Sequence, residues 1–157
     1  MHIAICGGGV IGSALAYELT ARGERVTLIE RWRIAGAASG KSGGFLARDW
    51  CDGTPLQTLA EVSFDRHQEW ADRLDNPYGY RRVATYSAAM SARRTLPPRG
   101  DRDAAAWLAD EAVNRQRLGT QATTAQLDPA QFTTALAERA ARGGARIRIG
   151  AVAGLAI

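Results

Sequence analysis

The chain has 157 residues, 46% of them apolar and 23% charged, with a net charge of +4. That length fits one domain with a usable core, and the composition is ordinary for a globular protein. No 18-residue apolar stretch is free of charge, which excludes a helical membrane span. The arginines are scattered among Asp and Glu with no aromatic-laced basic run, which argues against a nucleic-acid groove.

The start of the chain is apolar, but it lacks a basic leader region and has Gly7-Gly8-Gly9 at its centre. It therefore reads as structure rather than a secretory signal, and a cytoplasmic location is expected. Residues 2–6, HIAIC, form a short β-type run. Residues 10–22 carry Val10, Leu15 and Leu19 at helical spacing, and Gly23 closes that helix. Residues 25–29, RVTLI, form a second β-rich run that ends at Glu30-Arg31. Strand, glycine turn, helix and strand make a βαβ unit with a right-handed crossover.

Residues 36–44, GAASGKSGG, read as a glycine/serine loop, followed by the apolar triplet 45–47. Thr54-Pro55 reads as N-cap and first position of a long helix that Asn76-Pro77 stops. Its expected apolar stripe is Leu56, Leu59, Ala60, Ser63, His67, Trp70, Ala71 and Leu74. Residues 80–89 look like a strand, 91–104 like a loop, and 105–118 are ambiguous, with Trp107 and Leu108 fitting a short helix. Asp128-Pro129 starts another helix, which Gly143-Gly144 ends. Residues 145–149 form a strand, and 151–157 are a further apolar run.

Gly7-x-Gly9-x-x-Gly12 is a weak pattern alone, but here it follows a strand and opens a helix, and Glu30 ends the next strand. Gly7 permits the tight turn, Gly9 lets a pyrophosphate approach the backbone, and Gly12 lets the helix pack on the strand. Val10 and Ile11 stand between these glycines, where N–H groups at the helix start favour phosphate. Glu30 can accept hydrogen bonds from both ribose hydroxyls and disfavours the 2′-phosphate of NADP, an objection that Arg31 softens. A glycine turn that binds nothing and a methyltransferase taking S-adenosylmethionine are the rival readings. The three-glycine spacing suits a pyrophosphate better.

The fingerprint does not separate NAD from FAD. A second small-residue cluster, Ser39, Gly40, Lys41, Ser42, Gly43 and Gly44, follows soon after the acid. Its hydroxyls and bare backbone could serve the second phosphate, ribityl chain and ring of a flavin. By composition alone it fits a flexible surface loop as well.

GGGVIG at 7–12, LIER at 28–31 and ASGKSGGFLA at 38–47 together resemble the FAD-dependent oxidoreductases of the D-amino-acid oxidase and glycine oxidase group. CDGTPL at 51–56, YGYRRV at 78–83 and TTAQLDPAQFTTAL at 123–136 are similar to the same family more loosely. The resemblance implies an α/β fold with a Rossmann-like FAD-binding core and the start of a second, sheet-containing domain. The core would comprise 1–50 and 124–157, and the connecting helix and substrate-domain start would comprise 51–123. It implies that Gly7, Gly9 and Gly12 hold the FAD pyrophosphate and that Glu30, with Arg31 beside it, binds the adenosine ribose. Ser39, Lys41, Ser42, Gly43 and Gly44 would lie along the phosphates and flavin. Val152, in a strand after 145–149, would touch adenine. Many relatives have His where this chain has Asp128; the helix cap survives that change.

Members of that family are more than twice as long, with substrate-anchoring residues and donors to the flavin edge in their C-terminal part. The implied activity is hydride transfer from an amine or amino-acid-like substrate to flavin. This chain is expected to hold half a cofactor site, no complete active site and no catalytic residue. Strands 2–6, 25–29 and 145–149 would form a parallel sheet with an uncovered apolar face, and 80–89 would lack neighbours. Association with itself or with a partner chain follows. The alternatives are a non-catalytic fragment that binds dinucleotide weakly or assembles with a partner, and an NAD-dependent dehydrogenase.

The remaining candidates read as structure. His67 sits on the helix stripe and is expected to pack rather than act as a base. The four tryptophans, Trp32, Trp50, Trp70 and Trp107, share no spacing and are expected to pack in a core or interface. Cys6 is expected to be a buried small hydrophobe. Asp49, Cys51 and Asp52 make a poor metal set without a histidine.

Overall fold

In a computed structural model of the chain, residues 1–90 and 112–154 are described. Eight strands and three helices occur among them: β1 His2–Cys6, α1 Val10–Ala21, β2 Arg25–Glu30, β3 Phe45–Ala47, α2 Gln57–Arg73, β4 Arg81–Arg82, β5 Thr85–Met90, β6 Ala112–Gly119, β7 Thr124–Gln126, α3 Pro129–Arg142 and β8 Arg146–Ile149. The chain divides into two compact units. Met1–Gly44, Gln68–Tyr80 and Leu127–Ile157 make the first, and Phe45–His67 and Arg81–Gln126 the second.

The first unit holds a parallel sheet in the order β1-β2-β8. Its core gathers Ile5, Val26 and Leu28 from the strands with Ala16 of α1 and Ala137 and Ala140 of α3. Small residues on the helices let them lie close to the sheet. Asp128 caps α3 by accepting from the Gln131 N–H at 2.9 Å, with Pro129 in the first turn. These hydrogen bonds hold the Asp128 carboxyl below its ordinary range. Trp70, Tyr78 and Phe132 form a second, aromatic cluster in the same unit, with the Trp70 ring N–H donating to Glu18 at 2.9 Å. The cluster lies in the part of the first unit formed by Gln68–Tyr80 and Leu127–Ile157. Burial raises the Tyr78 phenol to about 12.

In the second unit β3 and β4 flank β7 in an antiparallel sheet, and β5 pairs with β6. The stretch 80–89 is thus two strands, and both have neighbours, contrary to the expectation that it would lack them. Residues 112–118, ambiguous in sequence, belong to a strand, whereas Trp107, Leu108 and the stretch 91–104, expected as a loop, lie outside the described residues. Arg48 reaches Glu61 at 3.7 Å and Asp65 at 3.6 Å on α2.

Several burial expectations are corrected. The Cys6 side chain is exposed. It alternates with buried Ile5, and Ala4, Arg25, Arg146 and Arg148 on the face it shares are solvent-exposed among the described residues. That face carries guanidiniums and is less apolar than expected. Along α2 the buried line runs through Phe64, Trp70 and Ala71 and on to Leu74 just past its end, while Leu56, just before the helix, and Leu59 are 57% and 63% exposed. The helix carries two apolar lines, and spacing alone cannot say which one is covered. Trp32 and Trp50 are exposed, and Trp70 is buried. The helix starts two residues after Pro55, following a turn in which the Leu56 N–H donates to Thr54 Oγ1 at 3.2 Å. It ends before Pro77 because Asp75 and Asn76 both adopt left-handed backbone, at φ 59° and 48°.

His67 is held down to about 4 by burial, which disfavours its charged form. Its folded value lies below its unfolded value, so the unfolded chain takes the proton first as pH falls. Stability is expected to be full above about pH 6.5 and to decline by up to about 3 kcal/mol toward about pH 4. Urea melts across that range should show a flatter profile for His67→Gln. Gly12→Ala is expected to destabilise by at least about 2 kcal/mol in the same melts, because the added methyl overlaps the Gly7 carbonyl oxygen.

Candidate dinucleotide site

The site forms where the parallel strands end. Gly7 follows β1 with φ 107°, a left-handed conformation that glycine adopts without strain. Its N–H donates to the Ile29 carbonyl at 2.7 Å, and the Gly150 N–H donates to the Glu30 carbonyl at 2.8 Å. These bonds extend the sheet ladder by one step on each side of β2. Gly7, Glu30 and Gly150 therefore stand side by side around a cavity of about 220 Å³, which Cys6, Ile29, Arg31 and Val152 also line.

Glu30 is fixed by the main chain. One carboxylate oxygen accepts from the Gly8 N–H at 2.7 Å and the other from the Trp32 N–H at 2.9 Å. The Gly8 and Trp32 hydrogen bonds, then the Arg31 charge, lower its pKa. Each oxygen keeps one further acceptor position, enough for the two hydroxyls of a ribose.

The first turn of α1 follows Gly9, whose own position provides no side-chain cap. Ser39, brought in by the loop, accepts from the Val10 N–H at 2.9 Å. The Ile11 and Gly12 N–H groups come next and have no intrahelical acceptor by helix geometry. A Cβ on Gly9 would stand 3.0 Å from Ser39 Oγ, so the missing side chain leaves a cradle there. Ser39 can still donate its hydroxyl hydrogen to an anion in that cradle.

Gly7, Gly9, Val10, Ile11, Gly12, Glu30, Arg31 and Ser39 thus converge. Lys41, Ser42 and Gly43 are exposed, in the loop after the 3₁₀ turn Ala38–Gly40. Gly44, at φ 65°, packs against the Leu127 carbonyl and Pro129 instead. Val152 does line the cavity, but residues 151–154 form no strand, contrary to expectation. Cys6, Ile29 and Gly150 were missed. The signal available for them was position, since ligands of open α/β sheets gather at the carboxyl ends of strands. No cluster of metal-ligating side chains occurs among the described residues, and Asp49, Cys51 and Asp52 form none.

A parallel sheet, a glycine turn at a helix start and an acid on the neighbouring strand define a Rossmann-like dinucleotide-binding α/β protein. The profile of the family described as FAD dependent oxidoreductase matches residues 2–157, and the chain belongs to that family, whose members use FAD. It is 33% identical over 150 residues to a Schizosaccharomyces pombe protein assigned as an oxidoreductase, covering 90% of this chain and 39% of that one. It is 44% identical over 103 residues to a Saccharomyces cerevisiae protein assigned likewise, covering 60% and 19%. The fold matches the crystal structure of glycine oxidase from Bacillus cereus with a TM-score of 0.76 and 26% identity, covering 94% of this chain and 45% of that enzyme. The chain thus spans less than half the length of these relatives.

Ser39→Ala removes an acceptor from the α1 terminus without touching the core. It is expected to lower stability by about 1 kcal/mol, read as a shift of the urea midpoint at unchanged slope.

Proposed function

We propose that the first unit binds FAD through its ADP half, and that the chain contributes this half-site to an oxidoreductase acting on amine or amino-acid-like substrates. The observation that supports it best is the cavity at the strand ends, where the Gly7–Gly12 turn and the Glu30 carboxylate meet. Gly9, Ile11, Gly12 and Ser39 would take the pyrophosphate. Glu30, with Arg31 beside it, would take the ribose, and Val152 and Gly150 would border adenine. Lys41, Ser42 and Gly43 would lie along the second phosphate and the flavin.

When bound, FAD supplies a hydride acceptor for a C–H next to an amine. The chain's own residues bind and orient the cofactor, and none is assigned a proton-transfer role. The similarity to a glycine oxidase supports the substrate class. Because the chain spans 45% of that enzyme, turnover is proposed to draw on polypeptide that these residues do not supply.

Titration of the purified chain with FAD, followed by flavin fluorescence, tests the reading. Binding is expected, with ADP competing and NAD weaker. Glu30→Ala is expected to weaken it by about tenfold, equivalent to one or two lost charge-assisted hydrogen bonds. Unchanged affinity would refute the ribose role, and preference for NAD would favour a nicotinamide dehydrogenase. Tight FAD binding without oxidation of any primary or secondary amine, alone or with candidate partners, would leave a non-catalytic binding module.

A further inference from the structure

A second cavity lies at the other end of α1. It has a volume of about 310 Å³ and is lined by Tyr17, Thr20, Arg73, Leu74, Arg139 and Arg142, all in the first unit. The helix has 12 residues, so this cavity stands about 18 Å from the Gly9 end.

Three arginines line one small space. Arg73 meets Glu69 at 3.9 Å, Arg139 meets Asp75 at 3.6 Å and Arg142 meets Glu138 at 3.8 Å. The three acids are 50%, 91% and 60% exposed. Pairs this long and this open to solvent compete weakly for an arginine. All three arginines lie in the last turns of their helices, so they also face the negative ends of the helix dipoles. The Thr20, Trp70 and Arg139 carbonyls already accept from the Gly23, Leu74 and Gly143 N–H groups at 2.9–3.0 Å. Thr20 adds a further polar group. Its Oγ1 is buried and makes no hydrogen bond among the described residues. A side-chain rotation that turned the hydroxyl into the cavity would therefore break no hydrogen bond.

We propose that this cavity binds a phosphate-bearing small molecule at a site separate from the dinucleotide cradle. A single carboxylate offers two oxygens, which one arginine fork can satisfy. A phosphate spreads its oxygens around a tetrahedral centre and can meet several of these arginines at once in exchange for their exposed acid partners.

The test titrates the whole chain with inorganic pyrophosphate at constant ionic strength, following the melting temperature and the heat of binding. Pyrophosphate can also enter the glycine turn, so Gly9→Val, which fills that turn, is measured alongside. The expected result is saturable binding that persists in Gly9→Val. In Arg139→Gln and Arg142→Gln, each checked for an unchanged ligand-free circular dichroism spectrum, binding weakens by about tenfold. Thr20→Val is expected to weaken it several-fold without lowering the ligand-free melting temperature. A response lost in Gly9→Val and kept in the arginine variants would assign the anion to the dinucleotide turn alone and overturn the proposal. So would a response that chloride reproduces, or one in which citrate binds as tightly as pyrophosphate.

Discussion

The first unit depends on one close contact, between α1 and the turn that precedes it. A Cβ at Gly12 would overlap the Gly7 carbonyl oxygen and crowd Ile5. The helix can start where it does only because that atom is missing. If α1 were displaced, its N-terminus would leave the end of β1, and Ser39 could not reach the Val10 N–H. The Gly8 N–H that holds Glu30 sits in the same turn. Packing at one glycine therefore sets the positions of the pyrophosphate cradle and of the ribose acid together.

The sheet shows the same economy. Its central strand is β2, and the ladder continues past the strands on both sides through Gly7 and Gly150. That extension places three backbone segments around one cavity. Helices cover the face that carries Ile5, Val26 and Leu28. On the opposite face Ala4, Cys6, Arg25, Arg146 and Arg148 are exposed among the described residues, and Thr27 and Ile29 between them are half-buried. All-parallel sheets are ordinarily covered on both faces, and the described residues cover one.

What could be read from sequence was local and strongly patterned. The βαβ unit, the Asp128 cap and the Gly143-Gly144 stop each rest on a few adjacent residues with one physical solution. Burial was harder to read, because it depends on which faces meet. HIAIC is apolar but for His2, yet only Ile5 is buried, and Cys6 points the other way. The α2 helix offered two apolar lines, and the covered one includes Phe64, which the spacing-based stripe passed over. The cavity residues Cys6, Ile29 and Gly150 were invisible for a related reason. They have no distinctive chemistry and matter only because parallel strands end together. The Ser39 hydroxyl is legible as a phosphate donor, but its backbone role spans 29 positions in the chain and no local pattern reveals it.

Ser39 and Glu30 are already engaged with the main chain before any ligand is considered. Ser39 caps a helix, and Glu30 ties the glycine turn to the end of β2. Groups fixed in this way lose little freedom when a ligand arrives, and that preorganisation favours affinity. It also couples binding to folding. A ligand that adds hydrogen bonds to Glu30 and Ser39 reinforces the contacts that hold the turn, and it stabilises the folded state by RT ln(1 + [L]/Kd). The same residues thus carry part of the fold and part of the recognition. Substituting either one changes both, and affinity must be compared with stability in the same variant to tell the two contributions apart.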